Sequence, residues 1–575
     1  MQTKIMDWNS MRIREDEASF SACRWQLRFG CVAAILLGLA CSGAEGTETA
    51  STTGAATTGP SSGGITGTTG TTGTTGTTGT TGTTGTSSTG SAESTGDTEG
   101  EDPLWGQPLA ASPFGFHPGT SLGYSLLEEI GAIWSRQTMY LIWEWVDPES
   151  NGHFSFRKAA LPPFMGNPGE PFDYDQLQVE RPDWVRDVMN VCPFRRSGNL
   201  VSAEQKELYS SFVEKMVERY DGDDELGCTE AAPDCYFAGD GEYPTEATIA
   251  ALKASPIKHW QVCNQVTETC EGAECPNTYA GKYAEVYQMS HEAAKAGDPE
   301  ASVLLAGDSA QELYPKVFEA LSGGVIDIVD FHYFGEEQAY DAKEQLDFLQ
   351  SALTDSGFDI ADIRFWVTES GTYSGDPAVD IPNNEGPPFQ SERQQAAGLV
   401  KRYVAPLAVG VERVFWAWGM VEGFGSCNCC IFDYTGLVYD GNVPPNSNGC
   451  DASDPYDRGQ GAKKLAFFSA KLLFAKLSSA ERVGEADGGA DVRVFRFERD
   501  TSRLWVAWSD AEQPTSAMIS DIRSATVRVT KSVPSAEFGD ELVDVATAFA
   551  SEERPVTDGL LIVELTGEPV FIEEV

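Results

Sequence analysis

The chain has 575 residues, of which 41% are hydrophobic and 10% aromatic, so we expect a globular protein with more than one domain. Its formal net charge of −47 at pH 7 repels phosphate backbones and anionic lipid surfaces. This charge excludes nucleic acid as an expected partner, because binding to a phosphate backbone depends on neutralisation by lysine and arginine.

Residues 1–41 have the pattern of an export signal. Arg24 and Arg28 supply positive charge before a short apolar run over residues 29–39. A bilayer-spanning helix needs about 20 apolar residues, so a cleaved signal is favoured over a membrane helix. The small residues before Cys41 resemble a bacterial lipobox, which implies lipid attachment at Cys41. We therefore expect an exported outer-membrane lipoprotein at the cell surface; the alternative is ordinary signal cleavage with Cys41 incidental.

Residues 42–103 form a low-complexity segment. A Thr-Thr-Gly repeat runs from about residue 66 to residue 85, and no large apolar residue follows Ile65 within the segment. Such a sequence cannot bury enough surface to offset the entropy of ordering. We predict a flexible stalk that holds a folded body away from the membrane.

Residues 104–478 alternate short apolar runs with amphipathic segments. Strands are predicted within segments 113–117, 133–136, 184–191, 259–264, 302–307, 326–334, 365–368 and 414–418, and helices at 202–220, 279–296 and 391–409. This alternation predicts a parallel sheet with helices outside, and eight units make a (β/α)₈ TIM barrel. A doubly wound open sheet is the competing fold, but no glycine-rich phosphate loop follows the first strand.

Residues 479–575 change to a period of two. Apolar and polar residues alternate at 492–497, 503–508 and 526–529, and further short apolar runs follow. We predict a small β-sandwich that packs against the barrel. A separate carbohydrate-binding module is less favoured, because no linker precedes the segment.

Glu369 is the first candidate for chemistry. It directly follows the apolar run 365–367 and precedes a serine and a glycine. A barrel enzyme keeps its catalytic groups at the C-terminal ends of its strands, so this carboxylate is placed for catalysis. The alternative is an acidic residue that only caps the following loop.

The order of these features resembles the clan of retaining (β/α)₈ glycoside hydrolases, which includes β-xylosidase-like, iduronidase-like and endoglucanase-like families. The resemblance implies that Glu369 is the nucleophile and that Asn264 contacts a sugar hydroxyl group. It further implies an oligosaccharide or polysaccharide as partner and requires neither a cofactor nor a metal ion. The other positions that match the clan's substrate-binding pattern are Arg136 on strand two, His332 and Tyr333 on strand six, and Trp416 or Trp418 on strand eight. Because Trp416 and Trp418 alternate with one residue between them, we expect both on the same side of the strand.

Gln265 is where the sequence departs from the clan, which has the acid/base glutamate after the asparagine. A glutamine cannot transfer a proton at neutral pH, and acid–base catalysis typically contributes about 10²–10⁴ in rate. Three alternatives follow: a non-catalytic carbohydrate-binding or adhesion lipoprotein, a retaining O-glycoside hydrolase in which Glu268 replaces the missing acid, or a transglycosidase. Glu144 and Asp308 are further carboxylates near strand ends.

The thirteen cysteines fit an exported protein with disulfides. Cys228–Cys235 and Cys270–Cys275 are plausible local pairs. The cluster at residues 427–430 has no histidine nearby, so disulfides are favoured there over zinc. Asp221 and Asp223 are interpreted as a solvated acidic turn rather than a calcium site.

Overall fold

A computed structural model of the protein describes residues 112–118, 124–137, 140–160, 171–193, 201–223, 245–266, 275–307, 313–334, 342–377, 388–423, 431–441, 456–499 and 502–575. The predicted lipidation site at Cys41 and the predicted stalk lie outside these residues. No helix among the described residues is long and apolar enough to cross a membrane.

Eight parallel strands close into a barrel, as predicted. The strands of this sheet are β1 (Phe114–His117), β2 (Trp134–Arg136), β3 (Leu141–Ile142), β4 (Arg186–Cys192), β5 (His259–Val262), β6 (Ser302–Leu304), β7 (Ile328–His332), β8 (Arg364–Ser370) and β9 (Arg413–Ala417). Neighbours pair in the order β2-β1-β9-β8-β7-β6-β5-β4, and β2 also pairs with β4, which closes the ring. The two-residue β3 adds to the end of β4.

Helices connect the strands and surround the barrel. They are α1 (Tyr124–Ile130), α2 (Trp143–Val146), α3 (Tyr174–Glu180), α4 (Lys206–Tyr220), α5 (Glu246–Ala254), α6 (Cys275–Gly297), α7 (Tyr314–Ala320), α8 (Ala342–Asp355), α9 (Glu392–Val409) and α10 (Leu465–Leu477). In α8, Leu346, Leu349 and Leu353 recur at helical spacing and are buried. A capping box between Ser391 and Gln394 fixes the start of α9. The three predicted helices correspond to α4, α6 and α9.

The side chains inside the barrel change from apolar to polar along the strands. An apolar layer sits towards the strands' N-terminal ends and consists of Trp134, Val188, Leu304, Ile328, Trp366 and Phe415. Below it, the Arg413 guanidinium lies 4.3 Å from the ring centre of Trp134 and 4.8 Å from that of Trp366. The inward positions above this layer are polar, so chemistry is confined to the C-terminal ends of the strands.

The C-terminal region is a β-sandwich, as predicted. Its strands are β10 (Glu481–Asp487), β11 (Val492–Arg499), β12 (Ser502–Ser509), β13 (Thr515–Ile519), β14 (Thr526–Lys531), β15 (Ser551–Pro555), β16 (Leu561–Leu565) and β17 (Val570–Glu574). Six form an antiparallel sheet in the order β10-β11-β12-β17-β14-β15, and β13 pairs with β16. Alternation divides the β11 side chains: Phe495 and Phe497 join the core with the barrel helices, whereas Val492 and Val494 join the core between the two sheets.

Glu392, at the start of α9, joins the barrel to the sandwich. Its Oε2 accepts hydrogen bonds from the backbone N–H groups of Leu465 (2.6 Å) and Gly539 (2.9 Å). Its Oε1 accepts from the Tyr439 hydroxyl at 2.9 Å. A Cβ atom at Gly539 would lie 2.1 Å from the carbonyl oxygen of Lys463, so only glycine permits this close approach. One carboxylate thereby ties together three segments of the chain.

Candidate active site

A local irregularity in β8 directs Glu369 into the barrel. Phe331 of β7 pairs with Val367, but the next residue, His332, pairs with Glu369, so Thr368 is an extra residue in β8. A bulge of this kind re-aims the side chain that follows it. Thr368 and Glu369 are consecutive, yet both contact groups inside the barrel.

Arg136 at the end of β2 holds the Glu369 carboxylate. Its Nη1 donates to Glu369 Oε1 at 2.7 Å, its Nη2 to Asn264 Oδ1 at 2.5 Å and its Nε to Gln261 Oε1 at 2.8 Å. Arg136 is fully buried and Glu369 is 1% exposed, so this is a buried ion pair. A buried ion pair is stable only where further hydrogen bonds satisfy its polar atoms. Here each of the three guanidinium nitrogens of Arg136 has an acceptor.

A layer of polar side chains supports Arg136 from below. Asp330 Oδ2 accepts hydrogen bonds from Gln261 Nε2 and from Thr368 Oγ1. The amide nitrogen of Gln261 is thus engaged, and its oxygen faces Arg136 Nε and Asn190 Nδ2. Burial raises the pKa of Asp330 to about 7. This polar layer holds Arg136 in place, and Arg136 in turn orients the Glu369 carboxylate.

Two histidines flank the same carboxylate oxygen. The Nε2 atom of His117, at the end of β1, lies 3.5 Å from Glu369 Oε1, and Nε2 of His332, at the end of β7, lies 3.4 Å from it. Burial, and then the positive charge of Arg136, holds the pKa of both imidazoles well below the usual range. Both rings are therefore neutral.

Gln265 contacts His332, the ring that lies between it and Glu369. Its Nε2 lies 3.1 Å from His332 Nδ1, and its backbone N–H donates to the Ala306 carbonyl at 2.7 Å. The turn that presents it is left-handed at Cys263 (φ 64°) and at Gln265 (φ 44°). A disulfide joins Cys263 to Cys192 at the end of β4, and the Asn190 amide donates to the Cys263 carbonyl at 2.6 Å. These contacts fix the turn although its backbone is uncommon for residues other than glycine.

Gly307 provides the space between these groups. It has φ 58°, and a Cβ atom there would lie 2.6 Å from His332 Nε2 and 2.7 Å from Gln261 Nε2. A side chain at this position would displace the polar groups around Glu369, so the site requires glycine.

Trp416, in β9, and Trp418, just after β9, lie in different environments, which corrects the prediction that they share a side. Trp416 is 1% exposed, and it packs in the core against Tyr403 of α9 with ring centres 6.3 Å apart. It cannot serve as an open surface for a sugar ring. Trp418 is half-buried, and its ring centre lies 4.6 Å from that of His117. Side chains alternate between the two faces only within a strand, and β9 ends at Ala417, so Trp418 lies beyond it.

Tyr333 also differs from the predicted arrangement. Its backbone N–H donates to the Glu369 carbonyl at 2.8 Å, but its buried side chain belongs to the hydrophobic core that includes the helices. A wall of half-buried rings stands beside the site instead. Phe432 lies 5.5 Å from Phe334 and 6.3 Å from Trp418, measured between ring centres.

The other predicted candidates are either outside the described residues or on other parts of the described chain. Glu268 and Asp308 are outside the described residues, as are Cys228, Cys235, Cys270 and the cysteines of the 427–430 cluster. Glu144 lies exposed on α2. Asp221 Oδ1 accepts from the backbone N–H of Asp223 at 3.0 Å, within a local acidic turn.

Among the described residues, one group of carboxylates is compact enough to hold a metal ion. Glu422, Asp440 and Asp457 each offer an oxygen atom within 4.8 Å of the others. Lys464 already forms an ion pair with Glu422, so a cation of the protein itself occupies part of this environment.

The sequence-based interpretation missed His117, Gln261 and Asp330. Each is a polar residue at an inward position of a strand otherwise built from apolar residues, and each is buried. That combination was a usable signal, because a buried polar side chain needs partners and the partners lie on neighbouring strands.

Comparison with known proteins supports the fold. No protein-family model matches the chain, and no curated protein matches its sequence. Among solved structures, a family 51 α-L-arabinofuranosidase from Thermotoga petrophila is similar, with a TM-score of 0.50 and 12% identity over 82% of this chain and 98% of that one. A family 39 glycoside hydrolase from Bacteroides cellulosilyticus has a TM-score of 0.47 and 15% identity over 81% of this chain and 82% of that one. For a β-xylosidase from Caulobacter crescentus the values are 0.45 and 13%, over 82% and 97%. The first of these likenesses supports the (β/α)₈ barrel fold that the sequence predicted.

Proposed function

We propose that the C-terminal end of the barrel binds carbohydrate and that Glu369 is the nucleophile of a retaining glycosidase-like site in which Gln265 occupies the acid/base position. The observation that carries this proposal is the Glu369 carboxylate at the end of the seventh barrel strand, held by Arg136 at 2.7 Å. Arg136 also holds Asn264, whose amide stands beside the nucleophile to meet a sugar hydroxyl group.

The site supports the two parts of glycosyl-enzyme formation unequally: it supplies a nucleophile but no acid for the leaving group. Glu369 can attack the anomeric carbon, since a buried arginine orients its carboxylate. The leaving oxygen then needs a proton, and the Gln265 amide can donate a hydrogen bond but cannot transfer a proton at neutral pH. A leaving group that departs as a stable anion does not need that proton. We therefore expect a glycosyl-enzyme from activated glycosides and slow reaction with ordinary ones.

The neutral groups around Glu369 suit hydroxyl recognition. His117 and His332 are uncharged and can donate or accept at a sugar hydroxyl group. Trp418, with Phe432 and Phe334 beside it, supplies apolar ring surface of the kind on which sugars stack. An oligosaccharide or polysaccharide is the ligand class that uses both features.

A second candidate function is non-catalytic carbohydrate binding or adhesion by a pseudo-glycosidase. What favours it is that residue 265 is a glutamine, which cannot transfer a proton at neutral pH, and that its amide lies 3.1 Å from His332, a ring that flanks Glu369. Glu268 is the alternative acid/base that would restore hydrolysis, and transglycosylation is the alternative use of a retained nucleophile.

We further propose that the protein is exported and anchored in the bacterial cell envelope through lipid on Cys41, with residues 42–103 as a stalk. The support is the sequence pattern alone. Cys41→Ala should move the protein from the membrane fraction to the soluble fraction after cell lysis, whereas Cys31→Ala should leave it with the membrane.

The test of the main proposal is covalent trapping. We would incubate the protein with fluorinated aryl glycosides that carry good leaving groups, including xylosides and arabinofuranosides, and measure intact mass. The expected result is a mass increase of one sugar, absent in the matched variant Glu369→Gln, whose amide is not a nucleophile. An adduct that persists in Glu369→Gln would refute the assigned nucleophile.

The variant Gln265→Glu separates catalysis from binding. If Gln265 occupies the acid/base position, a carboxyl group there should raise hydrolysis of unactivated glycosides by about 10²-fold or more. An unchanged rate in this variant, together with sugar binding measured by calorimetry, would favour the binding protein.

A further inference from the structure

The proton positions on the two histidines that flank Glu369 can be worked out from their partners. Both rings are neutral, so each carries one N–H. Both present Nε2 to the same carboxylate oxygen, at 3.5 Å for His117 and 3.4 Å for His332. Among the residues that the structure describes, neither Nε2 atom has a hydrogen-bond partner of good geometry. The proton on each ring therefore decides whether a donor or a lone pair faces Glu369.

His117 has its proton on Nδ1. This atom lies 3.0 Å from the backbone carbonyl oxygen of Arg136, which can only accept. The Nδ1–H tautomer is therefore fixed, and a lone pair on Nε2 faces Glu369. A lone pair next to a carboxylate oxygen is unfavourable in a buried site, where electrostatic interactions are strong.

His332 compensates if it has the opposite tautomer. Its Nδ1 lies 3.1 Å from the side-chain amide of Gln265, which can donate through nitrogen or accept through oxygen. If the amide accepted, both histidines would present lone pairs to Glu369. If the amide donates, His332 carries its proton on Nε2 and offers it to the carboxylate. We infer that Gln265 is a positioning residue that donates to His332 Nδ1 and so holds the tautomer in which His332 Nε2–H faces Glu369.

This role cannot be filled by an ionised glutamate, which only accepts hydrogen bonds. A carboxylate at position 265 would place an acceptor beside His332 Nδ1, with Glu369 already an acceptor beside Nε2. The ring would then take a proton on Nδ1, either as a second proton or by a change of tautomer. Arg136 and His117 also face the ring and oppose a positive charge on it. Gln265 thus keeps His332 neutral and directed at the nucleophile.

This role of Gln265 rests on the function proposed for Glu369, but the tautomer of His332 can be measured without a sugar. The chain has five histidines, so selective ¹⁵N-histidine labelling gives a spectrum that can be assigned by substitution. His332→Gln and His117→Gln identify the two rings. In the unaltered protein we expect His332 to show a protonated Nε2 and an unprotonated Nδ1, and His117 to show the reverse.

The variant Gln265→Glu should add a proton to Nδ1 of His332 near neutral pH, while the uncharged Gln265→Leu should not. An unaltered protein whose His332 carries its proton on Nδ1 would overturn the inference. So would a Gln265→Glu variant with the wild-type pattern at His332 and an intact fold, as judged by unchanged signals from His259 and His291. Failure to trap a sugar with normal tautomers would count against the proposed function alone.

Discussion

Asp330 is a fully buried carboxyl group, and its ionisation should make stability depend on pH. Its pKa is raised from 3.8 to about 7 by burial. The folded state therefore binds a proton that the unfolded state has lost between about pH 4 and pH 7. The stabilisation from this proton is complete below about pH 4 and is lost as the pH rises towards 7. Buried carboxyl groups of this kind favour a slightly acidic environment.

Asp330→Asn tests this dependence, because asparagine is close in shape and does not titrate. As the pH rises from 5 to 8, the unaltered protein should lose about 2–3 kcal/mol of unfolding free energy through Asp330, and the variant should not show this loss. Urea unfolding at the two pH values measures the difference. Asp359→Asn, at an exposed position, is the control that should show the same loss as the unaltered protein. Parallel pH curves for Asp330→Asn and the unaltered protein would mean that Asp330 is ionised when folded.

At the scale of residues, the sequence identified the groups at strand ends better than the groups beneath them. Arg136, Asn264 and Glu369 were each predicted at the end of a barrel strand, and the structure joins all three through one guanidinium group. Asp330 and Gln261 were missed because a single polar residue in an apolar strand has no sequence pattern that names its partner. Their partners come from other strands through closure of the barrel.

At the scale of elements, the disulfide between β4 and the end of β5 controls the turn that carries Asn264 and Gln265. Replacing both Cys192 and Cys263 with alanine opens a loop with a sequence separation of 71 residues. The expected loss of stability is about 2–4 kcal/mol. We also expect slower adduct formation at Glu369, because Asn264 and Gln265 lose a fixed backbone. Thermal unfolding and the rate of mass increase measure the two effects.

Glu392→Gln is the matched control for this effect on the site. It should lower stability by a similar amount through the junction with the sandwich, far along the chain from the turn. Adduct formation in Glu392→Gln should stay near the normal rate below the unfolding transition. Equal rates in both variants would show that the disulfide contributes stability without positioning the site.

The elements themselves were largely predictable, and their irregularities were not. All eight barrel strands lie where apolar runs predicted them, because a buried parallel strand requires such a run. The extra residue Thr368 in β8 leaves no mark in the apolar pattern. It reverses the side on which Glu369 is presented, because strict alternation from the inward-facing Trp366 would place Glu369 outside the barrel. The prediction that Trp416 and Trp418 share a side failed for a similar reason, since alternation was extended to Trp418, past the end of β9.

At the scale of the whole molecule, the barrel and the sandwich should unfold as one unit. Glu392 binds both, and Arg393 next to it forms a two-pronged ion pair with Glu568 of the sandwich, at 2.7 and 2.8 Å. Lys476 of α10 pairs with Glu573 of β17. We expect a single calorimetric transition at neutral pH, since neither part can separate without exposing the buried side chains of Glu392 and Lys476.

Glu392→Gln should lower the unfolding free energy by about 1–3 kcal/mol, because the amide nitrogen would face N–H donors in place of a carboxylate oxygen. Calorimetry measures both the shift and the number of transitions. Glu568→Gln, on the more exposed side of the junction, should cost less. Two resolved transitions in the unaltered protein would contradict the idea of a single unit.

The joint at Glu392 also limits how this protein can be divided. A gene fragment that stopped at the end of α10 would follow the boundary seen in the sequence, yet it would remove the Gly539 N–H from a buried carboxylate. The same fragment would uncover the part of α9 against which β11 packs, and would remove Phe495 and Phe497 from the core that they share with the barrel helices. A barrel of this kind could be fused to a different domain only if that domain supplied a hydrogen-bond donor to Glu392 in place of the Gly539 N–H. The sandwich therefore has to remain part of the same polypeptide as the barrel, whose outer helices it covers.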